Sequence, residues 1–369
     1  MEYEIVVIGG GLGGLTAAYL LAKAGRKVTL IEKKSYPFHR VCGEYVSNEV
    51  KDFLIKHDLY PSEFGPVHIS KFRLSSLSGK SVDLSLDLGG FGISRYVFDQ
   101  FLYHKCQEAG VNFQLETQVL DVDYHPREEK FTLSLSAGQS LSADYVLGAF
   151  GKRSRMDKSL GRPFINTRTS FIGVKYHVRT QFPSDTVALH NFNGGYLGIN
   201  KIEKDIFNIC YLGNKEQLKK YGSIPEMEKQ ELYKNPFIKV LYENSDFLFD
   251  KPEVINEVNF ASKEPIVDHI LMIGDAAGLI TPLCGNGMAI AIHSGKLAAE
   301  AILENKERTS VEKQYVDNWT KNFKRRLWIG RNVQRLFGSS LTSSMSVGLL
   351  KSSSFIGKQI IKKTHGKTI

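Results

Sequence analysis

An α/β protein with a parallel sheet at its centre is the fold class that three observations in the 369-residue sequence predict. The first fifty residues read as strand, glycine-rich turn, helix and second strand. A second junction of strand, small-residue turn and helix follows near residue 274. Between these lie segments in which apolar and polar residues alternate, as in antiparallel strands with one buried face. The expected architecture is a Rossmann-type domain interleaved with an antiparallel-sheet domain, followed by a helical C-terminus.

Ile5-Val6-Val7-Ile8 is short, apolar and β-branched, which suits a strand covered on both faces. Gly9-Gly10-Gly11-Leu12-Gly13-Gly14 follows, with Gly9, Gly11 and Gly14 at the G-x-G-x-x-G spacing. That spacing serves a tight turn, close approach of a pyrophosphate to bare backbone, and close packing of helix on strand. Leu15, Ala18, Leu21 and Ala22 recur at helical spacing up to Gly25, so the helix would direct its unpaired N–H groups at phosphates. Lys27 to Ile31 reads as the second strand and ends in Glu32-Lys33, where a carboxylate can accept hydrogen bonds from an adenosine ribose. An acid at this point disfavours a 2′-phosphate. Gly9, Gly11, Gly13, Gly14, Glu32 and Lys33 are therefore expected at a dinucleotide.

Ile270-Leu271-Met272-Ile273 reads as another buried strand, followed by Gly274-Asp275-Ala276-Ala277-Gly278 and, from Gly287, a long small-residue helix. With this segment the chain resembles the FAD-dependent family that joins single-component aromatic hydroxylases with geranylgeranyl reductases, whose fold is glutathione-reductase-like. The resemblance implies FAD as cofactor, with Gly274 and Asp275 at its ribityl chain. It places Pro282-Leu283-Cys284-Gly285-Asn286-Gly287 at a helix N-terminus beside the flavin ring, so that Pro282, Gly285, Asn286 and Gly287 are site candidates. A helix N-terminus suits the negative charge of a reduced flavin. Phe38-His39-Arg40-Val41-Cys42-Gly43-Glu44 looks like the loop this family lays along the flavin, Cys42-Gly43 being closest to the reductase branch. Ser94-Arg95-Tyr96-Val97-Phe98-Asp99 resembles its R-x-x-F-D helix start, and Val119 sits where backbone groups hold adenine. Arg40, Cys42, Gly43, Arg95 and Val119 complete the expected cofactor set.

The pattern also departs from the family. Phe150, in Gly148-Ala149-Phe150-Gly151, stands where the hydroxylase branch has an aspartate that arranges FAD and NAD(P)H, which puts direct reduction by a nicotinamide in doubt. Lys152 and Arg153 read equally as phosphate ligands or as a solvated basic turn. Asn193-Gly194-Gly195-Tyr196, followed by Phe207 to Tyr211, resembles the reductases' aromatic substrate motif without its tryptophan. The expected domains are residues 1–60, 90–162 and 255–305 for FAD, 61–89 and 163–254 for substrate, and 306–369 as a basic helical tail. Cys42, His190, Tyr196 and Tyr211 are the catalytic candidates, Cys42 as proton donor or redox thiol, with His177 a further candidate beside His190, Tyr196 and Tyr211 to activate a phenol oxygen. Each can equally be a satisfied core residue.

Two hypotheses of reaction follow: hydroxylation of a hydrophobic aromatic, taken first, and saturation of carbon–carbon double bonds in an isoprenoid or lipid. A third is a flavin-binding protein without turnover. Four scattered cysteines and no C-x-x-C argue against a disulfide scaffold or a metal centre. The start Met1-Glu2-Tyr3-Glu4 is unlike a secretory signal, and no apolar run spans a bilayer, so a cytoplasmic protein is expected. Its net charge of +9 resides in residues 320–369, which hold eleven Lys or Arg and no Asp or Glu. Trp328, Leu349 and Leu350 are interleaved with that charge. The pattern fits either peripheral contact with an anionic membrane or helices that cover the substrate domain; nucleic acid is not an expected partner.

Overall fold

The computed structural model describes residues 4–136, 138–167, 169–256, 258–281, 285–334, 340–352 and 366–369. Among them the strands form sheets of six, nine and three. In the first, β1 (Glu4–Ile8) lies between parallel neighbours β2 (Lys27–Ile31) and β10 (Tyr145–Gly148). Outside these come β6 (Asn112–Gln114) and β18 (Ile270–Met272), with β17 (Ile266–Val267) antiparallel at the edge. Ile5, Val6 and Val7 are all buried, so both faces of β1 are covered, as its unbroken apolar run requires. Helices α1 (Leu12–Lys23), α3 (Arg95–Glu108) and α8 (Gly287–Glu304) share that core.

The nine-stranded sheet runs β3 (Tyr45–Ser47), β5 (Ser81–Gly92), β4 (Val67–Ser75), β12 (Thr186–Phe192), β13 (Gly195–Lys201), β14 (Phe207–Asn214) and β11 (Phe171–Arg179). Both β15 (Asp246–Phe247) and β16 (Glu253–Asn256) pair with β11. It is antiparallel apart from the parallel pair β4 and β12. There two separate stretches of chain meet edge to edge with no hairpin to impose direction. One face carries Val174, Tyr176, Leu197, Ile199, Ile209 and Tyr211, packed under α5 (Lys215–Tyr221), α6 (Ile224–Glu231) and α7 (Pro236–Glu243). The opposite face looks toward the first sheet.

A small antiparallel sheet of β7 (Val119–His125), β8 (Lys130–Leu135) and β9 (Ser140–Ala143) joins the first core. Short helices α2 (Lys51–Lys56) and α4 (Arg155–Ser159) lie in connections, and α9 (Arg308–Trp319), α10 (Arg325–Gln334) and α11 (Ser340–Ser352) make the C-terminal region helical, as expected. Val347 of α11 packs with Leu74, Leu189, Tyr196 and Leu212 of the large sheet. Among the described residues no helix is long and apolar enough to cross a membrane.

Candidate functional site

A cavity of about 1100 Å³ opens where the parallel strands end and faces the large sheet, the position at which doubly wound sheets bind ligands. Its first wall is the β1–α1 turn. Gly9 has φ +104°, and a Cβ there would lie 2.5 Å from the carbonyl oxygen of Ala149, so only glycine fits without strain. Gly13 serves packing as well as the cavity: a Cβ on it would lie 2.7 Å from the carbonyl oxygen of Ala291 in α8. Gly11 is different, because a Cβ on it would meet only Arg95 Nη2, at 3.7 Å. Helix α1 has no side-chain cap, which leaves its first N–H groups to a ligand.

Glu32 ends β2 with a buried carboxylate that accepts from the N–H of Gly10 at 2.9 Å and from Arg40 Nη2 at 3.2 Å. Exposed Lys33 lies beside it on the rim. Arg40 and Arg95 converge on buried Asp99: Arg40 Nε at 3.0 Å, Arg95 through two bonds at 2.6 and 2.7 Å. Burial opposes the Arg95 charge, but Asp99 outweighs it and lifts the pKa above the ordinary arginine value. Both guanidinium groups line the cavity, as do Thr117, Gln118 and Val119 at the start of β7.

The second wall is the turn after β18. Asp275 is half-buried and lines the cavity, and buried cations hold the backbone around it. Arg162 donates to the carbonyl of Ala276 at 2.8 Å and to Asp157 at 2.9 Å. Lys263 donates to the carbonyls of Asp275 and Lys152, both at 2.8 Å, and burial pulls its pKa down to about 8. Gly285 and Gly287 also line the cavity, and buried Asn286 precedes α8. Pro282 and Cys284 lie outside the described residues.

The catalytic candidates divide between the two faces of the large sheet. Cys42 and Gly43 line the cavity on the loop after β2, and Tyr196 faces it from β13. His190 does not line it, and Tyr211 borders it while its hydroxyl points to the opposite, helix-covered face. His190 is 2% exposed on the helix-covered face, bonded to Ser75 at 2.8 Å and stacked on Phe237. The Tyr211 hydroxyl donates to Glu228 of α6 at 2.9 Å. Period-2 alternation turns these two away, since their cross-strand partners Leu197 and Val174 belong to the same packed face. Glu44 and Lys175, neither of them a catalytic candidate in the sequence, are joined with the candidate His177 in one buried cluster. Part of their signal was present as Lys175 and His177 at alternate positions of β11, whose remaining charged residue is Arg179 at its exposed end.

Residues 93–309, more than half of the chain, match the family model described as FAD binding domain, and residues 7–67 match an NAD(P)-binding Rossmann-like domain. The chain belongs to the FAD-binding family. FAD is its cofactor, and the protein is a flavoprotein oxidoreductase. Among curated relatives, Conditioned medium factor receptor 1 of Dictyostelium discoideum is 26% identical over 87% of this chain and 68% of its own length. Digeranylgeranylglycerophospholipid reductase 2 of Methanopyrus kandleri is 26% identical over 91% of this chain and 87% of the relative. A geranylgeranyl bacteriochlorophyll reductase-like protein of Thermoplasma acidophilum shares the fold with a TM-score of 0.78 at 22% identity, over 98% and 95% of the two chains.

The residues of this flavoprotein fit the cofactor on their own geometry. Bare backbone faces the cavity at Gly11, Gly43 and Gly287, where a Cβ would meet respectively one atom at 3.7 Å, nothing within 4 Å and one atom at 3.7 Å. Carboxylates stand at the two strand ends, Glu32 and Asp275, where a ribose and a ribityl chain offer hydroxyl donors.

Proposed function

We propose that this flavoprotein reduces carbon–carbon double bonds in the isoprenoid chain of a lipid. The observation that carries the reading is the apolar wall of the cavity, where Leu74, Leu84, Leu86, Leu189 and Leu212 of the large sheet stand with Val258 beyond its β16. Such a wall takes a hydrocarbon chain by burial alone and keeps water from the reacting carbons. The digeranylgeranylglycerophospholipid reductases among the relatives support the same class of substrate. The bound flavin, once reduced, would supply the hydride; the chain's own part is to orient the alkene and deliver the accompanying proton. Cys42 Sγ, half-buried on the cavity loop, is the proton-bearing group we assign.

Hydroxylation of a phenol, which the sequence placed first, asks for a base on the ring oxygen; of the four ring-bearing candidates for that part, His190 and Tyr211 turn their polar atoms to the helix-covered face and His177 is tied to Glu44. The experiment is anaerobic incubation of dithionite-reduced holoenzyme with a geranylgeranyl glycerophospholipid. Addition of two hydrogens per double bond, read by mass spectrometry, is the expected result. An unchanged lipid, with oxygen incorporated into a phenolic compound once air is admitted, would transfer the assignment to the oxygenase.

A lipid substrate also gives the basic tail a role. Leu349 of α11 lines the cavity and is 51% exposed, which puts the cavity mouth at this helix, with Met345 one turn away 73% exposed. We propose that this lip, which belongs to the basic C-terminal stretch of the sequence, rests on an anionic membrane surface.

A further inference from the structure

The cavity-facing side of the large sheet changes character along its strands. In register across β11, β14 and β13, the row Gly173, Leu212, Tyr196 is apolar; the next, Lys175, Cys210, Gly198, is mixed; the third, His177, Asn208, Asn200, is polar. The long polar side chains of the last two rows all end on one stretch of five residues, Arg40 to Glu44. Lys175 Nζ donates to Glu44 Oε1 at 2.5 Å and to the Arg40 carbonyl at 3.2 Å. His177 Nε2 lies 2.7 Å from Glu44 Oε2. Asn208 donates to the Cys42 carbonyl at 3.1 Å and Asn200 to that of Glu44 at 3.2 Å. From the far side, the N–H of Arg95 donates to Glu44 Oε1 at 2.7 Å.

Glu44 and Lys175 are 0% exposed, and Glu44 has φ +54°, a conformation that a side-chain-bearing residue holds only when its surroundings impose it. Burial alone would raise the Glu44 pKa, but Lys175 and then His177 overcome it and hold the carboxyl at about 2. A buried ion pair is a poor device for stability, since apolar side chains of similar size do as well. The helix-covered face of the same sheet is built that way. What the cluster does supply is position, because five donors fix three of the five residues that carry Cys42 and Gly43.

We infer that Lys175 and His177 are positioning residues, acting through Glu44 to hold the Arg40–Glu44 stretch, and with it Cys42 and Gly43, against the bound cofactor. The inference rests on the FAD site and is independent of the substrate class. Its test uses the full-length, FAD-loaded protein, with the rate of Cys42 alkylation by iodoacetamide read by peptide mass spectrometry, and the FAD Kd. Lys175→Met is expected to speed alkylation of Cys42 and weaken FAD each by roughly tenfold, the scale of one lost charged hydrogen bond. His177→Gln, which keeps a donor, stays close to the parent rate, whereas His177→Leu does not. Asp205→Asn, which breaks an exposed pair with Arg179, leaves both readouts unchanged. A folded Lys175→Met protein with the parent alkylation rate and FAD Kd overturns the inference. Should that variant not fold, Asn208→Ala removes the hydrogen bond to Cys42 alone, and an unaltered Cys42 rate there overturns it equally.

Discussion

Gly9 and Gly11 sit two residues apart in one turn, yet the structure assigns them different penalties. At Gly11 the backbone is extended, φ −88° and ψ 179°, and an added methyl would meet only Arg95 Nη2, at 3.7 Å. Gly11→Ala should therefore cost the apoprotein at most about 1 kcal/mol, the difference between glycine and alanine at a helix N-cap. The same methyl projects where a cofactor phosphate must approach bare backbone, so FAD affinity should fall by about a hundredfold or more, roughly 2.7 kcal/mol. Gly9→Ala reverses the pattern. At φ +104° it pays backbone strain of about 1–3 kcal/mol. Its methyl also lies 2.5 Å from a backbone oxygen that cannot yield cheaply. Thermal unfolding of the two apoproteins, together with flavin-fluorescence titration of each, separates the effects. Should Gly11→Ala bind FAD like the parent, or unfold as early as Gly9→Ala, the assignment of that turn to the cofactor fails.

Further outcomes follow from other parts of the molecule. Burial, partly offset by hydroxyls of Tyr211, Tyr176 and Tyr242, lifts Glu228 from 4.5 to about 7. Between those pH values the folded chain keeps a proton that the unfolded chain has released, so stability falls as pH rises through the window. Glu228→Gln should accordingly be close to neutral at pH 4 and stabilising by about 3 kcal/mol at pH 8, measured by urea unfolding at both values. A cost at pH 8 would contradict the shift. Phe150 lines the cavity at the position where the resemblance to the hydroxylases leads one to expect an aspartate, so NADPH should bleach the flavin far more slowly than dithionite does in anaerobic rapid mixing; equally fast bleaching would remove Phe150 from the account. Replacing the exposed Met345 and Leu349 by Glu should abolish sedimentation with phosphatidylglycerol vesicles while leaving FAD content intact. Retained sedimentation would mean the lip does not face the membrane.

The cofactor half of the site was legible because its chemistry depends on local features. The turn at Gly9 to Gly14, the acid at Glu32 and the Gly274-Asp275 turn each sit inside a short strand-to-helix junction, and the cavity gathers all three. The substrate half was harder to read, since a residue's side of a sheet depends on register. His190 and Tyr196 look alike as candidates in sequence, but pairing of β12 with β13 sets His190 opposite Leu197 on the packed face and leaves Tyr196 toward the cavity. The Glu44 cluster was hidden for a related reason. Glu44 and Lys175 are 131 positions apart, and only the fold brings them within 2.5 Å. The parallel pairing of β4 with β12 is likewise a consequence of two distant stretches meeting, which no turn signal announces.

At the centre of the account is a single FAD held at its two ends by the β1–α1 turn and the Asp275 turn. The direct measurement is release of cofactor from heat-denatured protein, identified by chromatography and counted per chain, for the parent, Gly11→Ala and Asp275→Ala. One FAD per chain in the parent and near-complete loss in both variants, with folding retained, is the predicted result. FMN, NAD or no nucleotide in the parent, or full FAD in either variant, would contradict it.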